Sequence, residues 1–238
     1  MFISIPKNCS HFYCRCKSIN NNTFIEHPTF WLMMLNILSK HAHKIYSIDW
    51  LLKTYSSLIL PPTVNQLEST EGFSLHLGCG HVNIEVWIKI DARNFNHVHL
   101  ATTNFELNQF AEQSISRIYI CHVLEHFADS DVNHLLNIFS QKLMPGGKFY
   151  ISLPDFSLIS KNYMHHQNLD MIRGAFLGGQ DYEYKVHKSI FDYYFMTNKL
   201  KKFGFLPISS WRPNETFDSE LRDFSSHEFS SYICATNQ

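Results

Sequence analysis

No apolar run in the 238 residues is long enough to cross a bilayer; the longest, Phe30 to Leu38, is about half of what a spanning helix needs. A secretory leader is also missing, because Met1 to Lys17 scatters polar residues and has no continuous apolar core before a small-residue cleavage site. The expectation is a soluble, cytoplasmic protein without a transmembrane segment. No charge of one sign dominates: 20 Lys+Arg stand against 21 Asp+Glu, for a formal net charge of -1. That balance argues against an electrostatic nucleic-acid binder, and only short basic patches occur, such as Lys199, Lys201 and Lys202. Six cysteines are too few for a disulfide scaffold in a chain of this length. Three of them, Cys9, Cys14 and Cys16, cluster around His11, but their spacing is not a common zinc arrangement and no second ligand pair is obvious. Reduced thiols in a loose terminus are expected there, and no metal site. The fifteen histidines are read mostly as surface or core residues.

What is present divides the chain in two. Residues 1 to about 27 are polar and Asn-rich, without periodicity. Pro28 opens a helical pattern in which Phe30, Met33, Met34, Ile37, Leu38 and His41 recur at i, i+3, i+4 spacing. A second helical run, Ile48 to Leu58, ends at Pro61-Pro62. Residues 1–69 therefore read as a loose leader with a helical extension, and 70–238 as the main domain. From Phe73 strands and helices alternate. Phe73–Leu77, Val86–Ile90, the weaker Val98–Ala101, Arg117–Cys121 and the run "KFYISLP" ending at Pro154 read as strands. The segment "SDVNHLLNIFSQKL", with Ser130 or Asp129 as its cap, and Ser189–Phe203, closed by Gly204, read as helices. "FLPISSW" and "FSSYICAT" supply two final strands. Such alternation favours a parallel α/β sheet.

Glycine is scarce as well, with nine in the chain, yet Gly78 and Gly80 fall together where the apolar run Phe73–Leu77 stops. Asp91 stands where the next apolar run stops, 11 residues after Gly80. In an open parallel sheet, ligands bind beyond the carboxyl ends of the strands. Glycine lets the backbone bend sharply there and approach a ligand. A carboxylate on the neighbouring strand end has acceptors for both hydroxyls of a ribose. The pair reads as a nucleoside-binding corner. A dinucleotide is disfavoured: the G-x-G-x-x-G pattern would need glycine where Asn83 stands, and its acidic residue lies about 20 residues on. A pyrophosphate also wants a helix starting at the turn, and there is little room for one before Val86. S-adenosylmethionine carries no phosphate and does not need that helix.

Four stretches in order carry a family resemblance: "LHLGCG…WIKIDA" (Leu75–Ala92), "IYICHVLEHF" (Ile118–Phe127), "LMPGGKFYISLPDF" (Leu143–Phe156) and the segment from Gly178 to Phe205. They resemble the motifs of class I S-adenosylmethionine-dependent methyltransferases, closest to a bacterial-type group often linked with glycan or surface-polysaccharide pathways. The resemblance implies a Rossmann-like fold, a mostly parallel seven-stranded sheet with helices on both faces. It implies S-adenosylmethionine as cofactor and a small molecule or glycan as acceptor. In the same way it places Leu77, Gly78, Cys79 and Gly80 against the methionine part, Asp91 on the ribose and Ala92 at the adenine. Asn104 falls near the adenine amino group, and Cys121 and His122 beside the sulfonium. The chain departs from the pattern at Val82 and Val86, where relatives often have glycine, and at Asn104, where many have an acid.

Methyl transfer from a sulfonium releases a neutral thioether, so alignment supplies much of the rate and a base need only take the acceptor's proton. His122 at a strand end and His187 in "KVHKSIFD" are the candidate bases. Glu125 and His126 are read as anchors of the loop after the strand. Asp155 is read as a helix cap, "GGQ" at Gly178–Gln180 as a flexible turn, and Arg212 and Arg222 as solvated surface. Two rival readings are a methyltransferase-like module without catalysis and a nicotinamide oxidoreductase.

Overall fold

The computed structural model describes residues 72–84, 86–181, 183–212 and 223–238. The leader, the helical extension, the cysteine cluster at Cys9–Cys16, the boundary near residue 70 and Arg222 lie outside the described residues.

Seven strands form one sheet: β1 (Phe73–Leu77), β2 (Ile88–Asp91), β3 (Leu100–Ala101), β4 (Ile115–Cys121), β5 (Leu143–Pro154), β6 (Phe205–Ser209) and β7 (Ser230–Asn237). Their order is β3-β2-β1-β4-β5-β7-β6. All neighbouring pairs from β3 to β5 are parallel, and β7 runs antiparallel to both β5 and β6. This is the Rossmann-like methyltransferase arrangement that the sequence motifs implied. Four helices belong to the described residues: α1 (Asp129–Lys142), α2 (Phe156–His166), α3 (Leu169–Leu177) and α4 (Tyr193–Lys202).

Strand periodicity sorts the core into two clusters. Ile118 and Ile120 of β4, Phe149 and Ile151 of β5, and Ile233 and Ala235 of β7 point one way, into an aliphatic cluster with Val132, Leu136 and Phe139 of α1 and Met196 and Leu200 of α4. The alternate residues Tyr119, Cys121, Tyr150 and Tyr232 join Trp87 and Trp211 in a second, aromatic cluster. β1 is buried at every position, as a central parallel strand must be.

Several boundaries differ from the sequence reading. Val86 is 61% exposed and lies in a turn; pairing starts only where Ile88 meets Leu75. α1 is not capped by Ser130 or Asp129. Its N-cap is Ala128, without a side-chain hydrogen bond, and Asp129 and Asp131 instead stand in the first turn, where the helix dipole favours them. Asp129 reaches across to Lys199 Nζ at 2.7 Å. α4 begins at Tyr193 rather than Ser189, because the Asp192 carboxylate accepts the Phe195 N–H at 2.7 Å. Asp155 caps α2 as expected, accepting the N–H groups of Ser157 and Leu158, and its second oxygen takes the Tyr193 N–H at 2.9 Å. α3 was not anticipated: Gly174 sits inside it and Leu169 and Leu177 are exposed, although Ile172 is buried and Ala175 and Phe176 stand half-buried at i+3 and i+4 from it. Gly178 of the "GGQ" turn is the cap that ends it.

Candidate functional site

From β1 the chain runs outward through β2 and β3 to one edge, then returns to β4 on the other side of β1. This reversal is a topological switch point, and open parallel sheets bind ligands beyond the carboxyl ends of the strands at such a point. Of the residues singled out in the sequence, Gly78, Gly80 and Asp91 meet at these strand ends, whereas Asn104 and His187 stand elsewhere. The link from Leu77 to Ile88 is made of turns, with Val82 N–H on Cys79 O at 2.9 Å, and the described part contains no helix. No helix N-terminus faces the bend, so the feature that a pyrophosphate would use is missing among the described residues of this link.

Gly78 is fixed by two constraints. Its φ is +66°, and a Cβ there would lie 2.4 Å from Val123 Cγ2, inside contact distance. Its N–H donates to Ile90 O at 2.7 Å, which ties the bend to the end of β2. Gly80 N–H donates to Asp91 Oδ2 at 2.7 Å. Asp91 therefore faces the glycine bend and is 4% exposed. Its other oxygen is taken by its own chain: Arg93 N–H donates to Oδ1 at 2.8 Å and Arg93 Nε at 3.4 Å. The Arg93 guanidinium also lies 4.6 Å over the Phe95 ring, and His97 Nε2 sits 3.0 Å from Gly80 O. Sequence reasoning took Asp91 as a free carboxylate and missed Arg93. The signal was present, since an arginine two residues after the acid reaches back to it easily.

The remaining cofactor candidates occupy different surroundings. Leu77 is fully buried, main chain included. Ala92 is half-buried beside Asp91. Burial pushes the Cys79 thiol up to about 12 and the Cys121 thiol well above its ordinary value, so both stay protonated. Cys121 packs in the aromatic cluster with Tyr119 and Trp211. Asn104 is exposed, and its Oδ1 accepts from Thr102 Oγ1 at 3.1 Å. It borders a hollow of about 130 Å³ together with Ile90, Thr102 and Glu106. Glu106 is the acid of that hollow, two residues beyond the amide chosen from sequence, and it lies 3.1 Å from His134 Nε2.

A second group of side chains forms just past β4. His122 has φ +52°, an uncommon conformation for a residue with a Cβ, and its N–H donates to Ser152 O at 2.9 Å. Its Nε2 is 2.8 Å from Ser230 Oγ, and its Nδ1 is 3.6 Å from Glu125 Oε1. His187 Nε2 approaches the same carboxyl oxygen, at 3.9 Å. The His126 and His187 rings meet edge to face at 4.9 Å. Burial holds the His122 imidazole down to about 3 and His187 to about 4, so both are neutral at physiological pH. Burial also raises the Glu125 carboxyl to about 8. The loop-anchor reading of Glu125 holds for its main chain, whose carbonyl accepts the N–H groups of Lys188 and Ser189 at 2.7 and 3.1 Å. Its side chain does something else, which sequence reasoning did not see.

No protein-family model matches the chain, and neither does any curated protein. Among solved structures, one similar to it is a SAM-dependent methyltransferase from Thermotoga maritima, at 15% identity and TM-score 0.45, over 85% of this chain and 99% of that one. Another is a SAM-dependent methyltransferase from Archaeoglobus fulgidus, at 13% identity and TM-score 0.46, over 84% and 99%. The CurJ carbon methyltransferase is 18% identical with TM-score 0.44 over 75% of this chain, which spans only 50% of that chain. The fold assignment itself rests on the strand order and on the antiparallel β7.

Proposed function

We propose that the chain binds S-adenosylmethionine in the crevice beyond β1, β2 and β4 and transfers its methyl group to a small-molecule or glycan-type acceptor. One observation carries the reading: the Asp91 carboxylate and the Gly78–Gly80 bend are joined by a 2.7 Å hydrogen bond, so an acceptor group and bare main chain face one niche. The ribose hydroxyls donate to Asp91, the methionine part lies along Gly78 to Gly80, and Ala92 and Asn104 border the adenine. Cys121 and His122 belong to the methyl side of the crevice. The acceptor class comes from the family resemblance alone, carried by Leu75–Ala92 and Gly178–Phe205.

His122 takes the acceptor proton in this reading. Ser230 Oγ donates its own hydrogen to Phe224 O at 3.0 Å, so Ser230 accepts from His122 Nε2–H. The lone pair is then on Nδ1, on the Glu125 side at 3.6 Å, and burial, which holds the ring down to about 3, leaves it neutral but a weak base. His187 is the second candidate base, neutral for the same reason. One observation favours the rival, a methyltransferase-like module without turnover: Arg93 occupies Asp91 Oδ1, one of the positions a ribose would use.

Calorimetry separates the readings. The parent chain is expected to bind S-adenosylmethionine and not NAD. Asp91→Ala removes two charge-assisted hydrogen bonds to the ribose, each worth about 1.5–3 kcal/mol, and should weaken binding by more than roughly tenfold. Unchanged affinity in that variant, or preference for NAD, refutes the ribose assignment. Binding without methyl transfer to any of a panel of hydroxylated and amino acceptors supports the non-catalytic module.

A further inference from the structure

We infer that Glu125, His126 and His187 form a binding site for one first-row divalent metal ion of the zinc and cobalt type. The sequence reading expected no metal, because the one cysteine cluster has the wrong spacing; these ligands come from two segments far apart in the chain. The site goes beyond the methyl-transfer reading and does not depend on it.

The first ground is convergence. One ligand atom from each of the three residues lies within 4.8 Å of the other two. Two imidazoles and one carboxylate are a set that suits zinc, cobalt or iron, whereas magnesium prefers oxygen ligands. Ligand atoms about 2.05 Å from a tetrahedral ion stand about 3.3 Å apart. The 3.9 Å from His187 Nε2 to Glu125 Oε1 is too long for a hydrogen bond and close to that spacing.

The second ground is an orphaned acid. Glu125 is 1% exposed, and neither of its carboxyl oxygens has a hydrogen-bond partner. A buried carboxyl without partners carries the full desolvation penalty of both oxygens. Yet the chain holds the residue firmly: the Glu125 carbonyl takes the Lys188 and Ser189 N–H groups, and Ser189 Oγ donates to Phe127 O at 2.6 Å. Gly178 permits this approach, because a Cβ there would lie 1.8 Å from Lys185 O and 2.7 Å from His187 Cδ2.

The third ground is tautomer control. His126 Nδ1 lies 3.3 Å from Val186 O, and His187 Nδ1 lies 3.0 Å from Ala175 O. A carbonyl can only accept, so each Nδ1 carries the proton and each Nε2 presents a lone pair. Metal-ligating histidines are oriented in this way, by giving the other ring N–H to a carbonyl. His122 has the opposite tautomer, Nε2–H on the Ser230 hydroxyl and its Nδ1 lone pair 3.6 Å from Glu125 Oε1, and stands beside the triad. With an ion bound, His187 is a ligand and His122 alone remains as base.

The test uses the full chain, stripped with a chelator and titrated with Co2+, then with Zn2+ as competitor. One equivalent of Co2+ should bind, with visible d–d bands, no sulfur-to-cobalt band, and displacement by Zn2+ but not by Mg2+. Glu125→Gln and His187→Gln should each weaken binding by more than the roughly 10–100-fold that loss of an outer-shell partner costs. Cys9→Ser/Cys14→Ser/Cys16→Ser should leave it unchanged. Anomalous scattering at the zinc edge from crystals of the parent locates the ion even if a variant fails to fold. An ion on the cysteine cluster, undiminished binding in Glu125→Gln, or no bound metal at all would overturn the assignment and leave a water-filled hollow as its replacement.

Discussion

Replacing Gly78 by alanine tests the bend on which the cofactor corner is built. At φ +66° an alanine sits in the left-handed region, which costs about 1–2 kcal/mol for an L-residue. Its Cβ would also stand 2.4 Å from Val123 Cγ2, and relieving such overpacking costs about 1–3 kcal/mol. Loss of chain entropy in the unfolded state returns about 0.4–1 kcal/mol, leaving a net destabilisation of roughly 1–4.6 kcal/mol. Val123→Ala alone should cost about 2 kcal/mol, because Val123 is 7% exposed and loses two buried methyl groups. The double variant removes the clash but keeps the backbone strain. The cycle should therefore close with a favourable coupling of about 1–3 kcal/mol. Urea midpoints measured with an unchanged m-value read these differences directly. If Gly78→Ala lies within about 0.5 kcal/mol of the parent, or if the two changes simply add, then the bend is not locked against Val123 and the close approach of main chain to a ligand loses its basis.

Two further changes probe the surroundings of that corner. Arg93→Ala should tighten S-adenosylmethionine binding by about 2–5-fold, because a half-exposed ion pair of this kind is worth up to about 1 kcal/mol and competes with the ribose for Asp91; a loss of affinity would place Arg93 among the cofactor's partners instead. His76, 1% exposed beside Tyr119, is held down to about 4 by burial. The unfolded chain binds its proton near pH 6.5, so the neutral ring's contribution is intact above that pH and is lost as the pH falls towards 4. His76→Gln should remove up to about 3 kcal/mol of this acid sensitivity in urea titrations between pH 7 and pH 4, and identical slopes for the two proteins would contradict the assignment.

The parts of the fold legible in the sequence were those with a local cause. β4 and the second half of β5 are rich in isoleucine and aromatic residues, β1 is a short apolar run, and Asp155 and Gly204 are chemical signals that sit where the chain turns. The glycine bend and Asp91 were legible because both mark the end of an apolar run. What escaped was in part local and overlooked, and in part set by contacts between distant segments. α3 keeps Ile172, Ala175 and Phe176 at i, i+3, i+4 spacing, but an interior Gly174 and apolar residues on the exposed side, Leu169 and Leu177, mask that stripe in the sequence. Arg93 was overlooked although its partners are local, Asp91 two residues before it and Phe95 two residues after. The meaning of Glu125 and His126 depends on the segment carrying His187, which main-chain bonds from Lys188 and Ser189 dock against the Glu125 carbonyl. Spacing within "CHVLEH" showed three titratable groups in five residues, and nothing local told that the acid would be sealed from water without a hydrogen-bond partner.

The most direct test of the central claim is a crystal structure of the chain grown with S-adenosylhomocysteine. The ribose hydroxyls should lie within hydrogen-bond distance of Asp91, with the Arg93 side chain displaced and the amino-acid end of the ligand against the Gly78–Gly80 main chain. A ligand bound elsewhere on the sheet, or a ribose away from an Asp91 still held by both Gly80 and Arg93, would contradict it.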